Sequence, residues 1–319
     1  MKEYKVIKPK TNDQWLECRK SGVGSSEIGA LLGVDTYTTP YQVWERKTGD
    51  DEPQEENFLM KFGHLIEPVT AQLFADATGY KIIKSSAGDW IAQDRKKKFL
   101  QVSPDRNFED QNGEIGTVEL KSTQCKIDKE LGFGMDKGQI PLKWFCQLQY
   151  QLGVQRQRKG ALAWLSCGRD FDYIEVDFNA DFYRNTIVPA IEDFWHDNVL
   201  TGIAPAAINA ADVQRIHPVQ DNGKTIEADN DLLDTLHELA EIKAHKAKLD
   251  ARADELTEVI KMRINDAEGV KMADGTMLCT WRAPKPTKKF DATAFKAENP
   301  ELYEKYMKDT QGARRFLLK

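Results

Sequence analysis

Apolar and polar positions along the chain sort into two periods. Leu65, Ile66, Val69 and Leu73 fall on one stripe of a helix predicted over 58–78, which Gly79 ends. Residues 13 to 33 read as a helix, a Gly/Ser turn (Ser21-Gly22-Val23-Gly24-Ser25-Ser26) and a second short helix capped by Ser25 or Ser26 and stopped by Gly33; Asp13 is placed to cap the first. Thr39-Pro40 opens a helix that Gly49 closes. Lys81–Lys84, Trp90–Ala92, Phe99–Val102 and Gly116–Ser122 have strand character. A helix over 140–154, with Pro141 in its first turn, leads to Ala161–Ser166, a nearly all-apolar run of the kind a buried central strand shows, and to the alternating strand Tyr173–Phe178. Phe182 to Val199 is helical.

This order predicts an α/β domain with a mixed sheet over residues 1–205. The character then changes. Residues 206–228 lie in an Ala- and Asn-rich stretch that reads as a linker. The rest, 229–319, reads as an extension: a long charged helix over 229–266 with Leu236, Leu239, Leu249 and Leu256 near coiled-coil spacing, a hairpin around Asp274-Gly275, and a basic, aromatic tail.

Composition narrows the classes. Of 319 residues 40% are hydrophobic and 30% charged, enough apolar material for a sizeable core. No stretch approaches the ~18 consecutive apolar residues of a membrane span, and the first residues lack the apolar centre of a signal peptide, so a cytoplasmic protein is expected. The five cysteines include no Cys-x-x-Cys pair, which argues against a disulfide framework and a Cys-rich zinc site. The net charge of −6 speaks mildly against a nucleic-acid partner.

The candidate chemistry sits on Thr117-Val118-Glu119-Leu120-Lys121. With a side-chain period of two, Val118 and Leu120 face the core, while Thr117, Glu119 and Lys121 share the other face. Asp105 lies in a turn after the strand ending at Ser103. A hairpin between those strands would bring Asp105 beside Glu119, and the backbone carbonyl of Leu120 would add a third hard oxygen. Two carboxylates, a carbonyl and an amine suit magnesium, which keeps several of its waters. Glu-x-Lys on a strand is by itself a common surface pattern.

The surrounding motifs are more specific. Gly22-Val23-Gly24-Ser25-Ser26-Glu27-Ile28, Trp44-Glu45-Arg46-Lys47-Thr48-Gly49, Phe62-Gly63-His64-Leu65-Ile66-Glu67-Pro68, Ser103-Pro104-Asp105 with Val118-Glu119-Leu120-Lys121, and Trp144-Phe145-Cys146-Gln147-Leu148-Gln149-Tyr150-Gln151 occur in this order. Over about residues 13 to 200 the chain resembles the YqaJ-type phage recombinases of the lambda exonuclease family. The resemblance implies a PD-(D/E)XK, restriction-endonuclease-like core. It implies a magnesium-dependent exonuclease, with manganese as a substitute, that digests double-stranded DNA from 5′ ends and leaves 3′ single strands for recombination. Asp105, Glu119 and Glu67 would then hold metal, Lys121 would position or deprotonate the attacking water, and Gln147 would line the site. Arg19 and Ser26 match the family's contacts to the terminal 5′ phosphate.

Ser25 and Ser26 also sit where a Gly/Ser turn enters a helix, a place suited to phosphate. The partners implied are DNA ends, further copies of the chain in a homo-oligomer such as a ring, and a single-strand annealing protein, in a bacterial host. The competing readings are a structure- or sequence-specific endonuclease of the same superfamily and a non-catalytic scaffold that binds DNA ends.

Overall fold

The computed structural model describes residues 3–49, 57–83, 90–123, 141–220, 222–309, 312 and 314–318. The start of the 140–154 helix and the end of the 81–84 strand fall outside them. The chain divides into two compact units, Met1–Val213 and Gln214–Lys319. Among the described residues no helix is long and apolar enough to cross a membrane.

The first unit is built on a five-stranded mixed sheet. Its strands are β2 (Lys81–Ile83), β5 (Arg106–Glu109), β6 (Ile115–Thr123), β7 (Lys159–Ser166) and β8 (Asp170–Asp177), in the order β2-β5-β6-β7-β8. β6 and β7 run parallel and the other pairs antiparallel. The parallel pair needs a crossover, and α5 (Leu142–Gln155) lies in it. A second sheet, β1 (Tyr4–Ile7), β3 (Ile91–Asp94) and β4 (Gln101–Val102), is antiparallel in the order β1-β3-β4. The fold class is therefore the expected one, a mixed sheet flanked by helices.

Three local readings are corrected. The strand that pairs with Glu119's strand is Arg106–Glu109, downstream of Asp105; the strand upstream, β4, belongs to the other sheet. On α4 (Phe58–Thr78) Leu65 and Val69 are exposed, while Thr70, Ala71 and Phe74 are buried. Only the second half of this helix lies over the sheet, so only those turns have an apolar surface to face. The cap of α1 (Asn12–Lys20) is Thr11, whose side chain accepts from the Gln14 N–H, in place of Asp13.

α5 separates two apolar clusters. On the far face of the sheet, Ala71 and Phe74 pack with Phe108, Val118, Leu120, Ala161 and Ala163. Beyond α5, Cys146, Tyr150 and Val154 pack with Val23, Ile28, Leu100, Val102 and residues of a helical run over 180–199. The Gly/Ser turn is pinned to the edge of the small sheet by Val23, which bridges to Leu100 and donates its N–H to the Phe99 carbonyl at 2.8 Å. Gly22 permits this approach, since a Cβ there would meet the Phe99 carbonyl oxygen at 2.7 Å.

Within the stretch expected to be a linker, Ala210–Ile216 is a helix, and its Asp212 is buried and accepts from Thr39 Oγ1 at 2.8 Å. The second unit holds the helix Asn230–Ile264, capped by Asp229, and the hairpin of β9 (Gly269–Lys271) and β10 (Met277–Thr280). Leu249 and Leu256 of the expected seam are exposed.

Candidate active site

The hairpin of β5 and β6 pairs Arg106 with Val118, so the next position outward sets Asp105 across from Glu119. Asp105 Oδ2 accepts the Leu120 N–H at 2.7 Å. In a strand the N–H and C=O of one residue point to the same edge, so the Leu120 carbonyl is turned toward Asp105 as well.

The polar face of β6 is not in water. Thr117 and Glu119 are buried beneath α5, whose Gln147, Gln151 and Gln155 recur every four residues along one side. Gln155 Nε2 donates to Thr117 Oγ1 at 2.8 Å. Gln147 Nε2 and Lys121 Nζ both donate to Glu119 Oε1, and Gln151 Nε2 donates to Oε2 at 2.8 Å. Both oxygens of Glu119 are thus occupied by donors. The Lys121 ammonium also lies 3.3 Å from Gln147 Oε1 and 5.7 Å from the centre of the Trp144 ring.

The electrostatics follow from crowding two carboxylates. Loss of water around Asp105, and then the charge of Glu119, push its pKa well above the usual aspartate range; Lys121 and the Leu120 N–H only partly oppose this. Burial by itself would lower Lys121, but Glu119 and Asp105 outweigh it and raise its pKa, so Lys121 is an ammonium. Glu67 comes in from α4, ion-paired with Arg106.

The Gly/Ser turn also lines the site. Its helical entry is not capped by Ser25 or Ser26. Instead Glu27 reaches back to the Gly24 N–H at 2.7 Å. The buried Glu27 carboxylate also pairs with Lys47 at 2.8 Å and with Arg19 at 3.3 Å. Arg19 lies 4.8 Å from the centre of the Trp15 ring. Ser25 is buried and its Oγ accepts from Gln151 Nε2 at 3.2 Å, whereas Ser26 is exposed.

A cavity of about 850 Å³ lies between these parts. Asp105, Glu119, Lys121, Gln147 and Glu67 line it together with Arg19, Ser25 and Ser26. The structure thus gathers all eight side chains singled out from the sequence. Arg106, Gln151 and Glu27 were not singled out. The four-residue step from Gln147 was a signal for Gln151, and the three-residue step from Gly24 for Glu27; nothing local marked Arg106.

Residues 14–158 match the family described as the YqaJ-like viral recombinase domain. The chain is similar to the protein YqaJ of Bacillus subtilis (strain 168), at 30% identity over 318 residues, 97% of this chain and 94% of that one. It is also similar to MG373 of Mycoplasma genitalium, at 22% identity over 60% of this chain and 85% of that protein. Among solved structures, an alkaline exonuclease (LHK-Exo) from Laribacter hongkongensis aligns with a TM-score of 0.46 and 16% identity, covering 60% of this chain and 94% of that one. A phage-related exonuclease from Haemophilus somnus 129PT aligns with a TM-score of 0.38 and 9% identity, covering 57% and 96%.

Proposed function

Because the chain belongs to the family of YqaJ-like viral recombinases, we propose that it is a metal-dependent exonuclease of the lambda exonuclease type. In this reading it degrades linear double-stranded DNA from 5′ ends and leaves 3′ single strands for an annealing protein. The observation that carries the reading is the meeting, in one cavity, of the pair Asp105 and Glu119 beside the Lys121 ammonium with Arg19 and Ser26.

A divalent cation fits the donor set. Among the described residues no group of three or more His, Cys, Asp and Glu side chains converges. Two carboxylates and the Leu120 carbonyl are hard oxygens, few in number, which is the set magnesium accepts while keeping waters, with manganese as a substitute. The repulsion between Asp105 and Glu119 is relieved by positive charge between them. Asp105, Glu119 and the Leu120 carbonyl would hold the ion, with Glu67 near it. When bound, it would acidify water and polarise a phosphoryl oxygen.

The chain's own residues divide the remaining work. Lys121, held by Glu119 and Gln147, offers a fixed ammonium that orients a water and offsets charge on the phosphate. Gln147 keeps both Glu119 and Lys121 in place. At the Gly/Ser turn, Glu27 carries one negative charge against the two positive charges of Lys47 and Arg19. This leaves one surplus positive charge at Arg19, complementary to a terminal phosphate. Ser26, exposed on the same turn, can donate its hydroxyl.

The test uses linear duplex DNA labelled at the 5′ or the 3′ ends, alongside a closed circle, with magnesium and with excess EDTA. Release of the 5′ label first, only with metal and only from linear DNA, is the expected result. Cutting of the circle would favour the endonuclease, and binding without cutting the scaffold.

A further inference from the structure

Glu119 and the Gly/Ser turn, which both line the cavity, share one buried side chain. Gln151 is wholly buried on α5, behind the cavity wall. Its amide nitrogen donates to Glu119 Oε2 at 2.8 Å and to Ser25 Oγ at 3.2 Å. Its carbonyl oxygen, Oε1, is buried and has no hydrogen-bond partner. A buried carbonyl left without a donor loses its hydration with nothing in return. An apolar side chain of the same length would avoid that cost, so the amide's worth at this position lies in its two N–H groups.

Each N–H has a chemical consequence. The one on Glu119 completes the donor shell of that carboxylate, together with Lys121 and Gln147. The one on Ser25 occupies a lone pair of the hydroxyl oxygen, which leaves the Ser25 proton free to be donated. Ser25 lines the cavity. Its hydroxyl therefore acts there as a donor, matched to an anionic oxygen. Because both bonds leave one nitrogen atom, the carboxylate and the hydroxyl are held at a set separation.

We infer that Gln151 is a positioning residue that fixes the distance between the hydrolytic carboxylates and the end-binding turn, and so sets how many nucleotides from the terminal phosphate the chain is cut. The inference rests on the exonuclease reading above. Gln151 acts through Glu119 and Ser25, the two partners of its amide nitrogen. A strut of this kind makes product length a property of the protein framework.

The experiment compares the full-length wild-type protein with Gln151→Met and, separately, Ser25→Ala. The substrate is linear duplex DNA with 5′-phosphate or 5′-hydroxyl ends, and product lengths and rates are read together. Gln151→Met keeps the length and volume of the side chain but removes both donors. Ser25→Ala cuts the strut at its other end and leaves the Glu119 bond in place.

Wild type is expected to release products of a single length. Both variants should release mixed lengths and lose preference for the 5′-phosphate end by about tenfold or more, the scale of one hydrogen bond to a charged group. A residue that only filled space would change total rate or stability and leave the product length alone. If Gln151→Met does not fold, Ser25→Ala decides by the same two readouts. Wild-type product length and end preference kept in Ser25→Ala, or in a folded Gln151→Met, would overturn the inference. A wild-type protein with no nuclease activity would overturn the exonuclease reading itself, so the two failures are distinct.

Discussion

Lys47 Nζ and a carboxylate oxygen of Glu27 lie 2.8 Å apart, with the two side chains only 2% and 3% exposed. This ion pair sits under the Gly/Ser turn, and the same carboxylate holds the Gly24 N–H and the Arg19 guanidinium. It ties the turn to α3 (Pro40–Thr48), the helix that carries Lys47. Replacing one partner of such a pair leaves the other charge buried, which typically costs about 3–5 kcal/mol. Lys47→Met is expected near the lower end, since Arg19 remains beside Glu27. The midpoint of urea unfolding, with the slope unchanged, measures it.

The same site predicts acid sensitivity. Burial alone would push Glu27 up, but Lys47 and Arg19 outweigh it and hold its carboxyl below the usual range. A carboxyl depressed in the folded state stabilises above its unfolded pKa of about 4.3, and that stability is lost as pH falls through the lower folded value. Stability of the wild type should therefore fall below about pH 4 more steeply than that of Glu27→Gln. Parallel acid-unfolding curves for the two proteins would contradict this.

Asp105 titrates in the opposite sense. Burial, then the nearby Glu119, raise its pKa, so a metal ion taken up there would have to displace a proton over a pH range above that of an ordinary carboxyl. Magnesium affinity should rise with pH through that range. Glu119→Gln removes the repulsion and should move the rise to lower pH, while weakening binding by loss of a ligand. Calorimetric titrations in buffers of different ionisation enthalpy count the protons released.

The proposed trio of Asp105, Glu119 and Lys121 should separate by role. Asp105→Asn and Glu119→Gln are expected to abolish turnover through loss of metal. Lys121→Met should retain metal yet lose roughly 10²–10⁴-fold in rate, the range of a group that assists proton movement or positions water. Excess EDTA should silence the wild type. Rates on linear duplex, beside a metal titration of each variant, check all three.

Arg19→Ala should erase the preference for 5′-phosphate over 5′-hydroxyl ends, at a cost of roughly 1.5–3 kcal/mol. Metal affinity should stay as in the wild type, because Arg19 pairs with Glu27 and lies over Trp15, and it holds neither Asp105 nor Glu119. Competition between the two kinds of end in one reaction gives the ratio directly.

The sequence by itself determined what depends on local geometry. The period-two pattern of Thr117 to Lys121 was enough to set Glu119 and Lys121 on one face and Val118 and Leu120 on the other, because pleating is a property of the strand alone. The family resemblance carried by the ordered motifs implied that Asp105, Glu67, Gln147 and Arg19 share one site. Tertiary structure decided what depends on a partner elsewhere in the chain. Arg106–Glu109 carries little apolar alternation and is a strand because β2 and β6 pair with it on either edge. Leu65 and Val69 of α4 satisfied the helical stripe, yet the turn facing the sheet is Thr70, Ala71 and Phe74, since the pattern says nothing about where the sheet ends. The four-residue spacing of Gln147 and Gln151 does not by itself tell a buried polar pair from one that faces water. They are buried because the face of β6 opposite them carries Thr117, Glu119 and Lys121, which must find donors and acceptors once water is excluded.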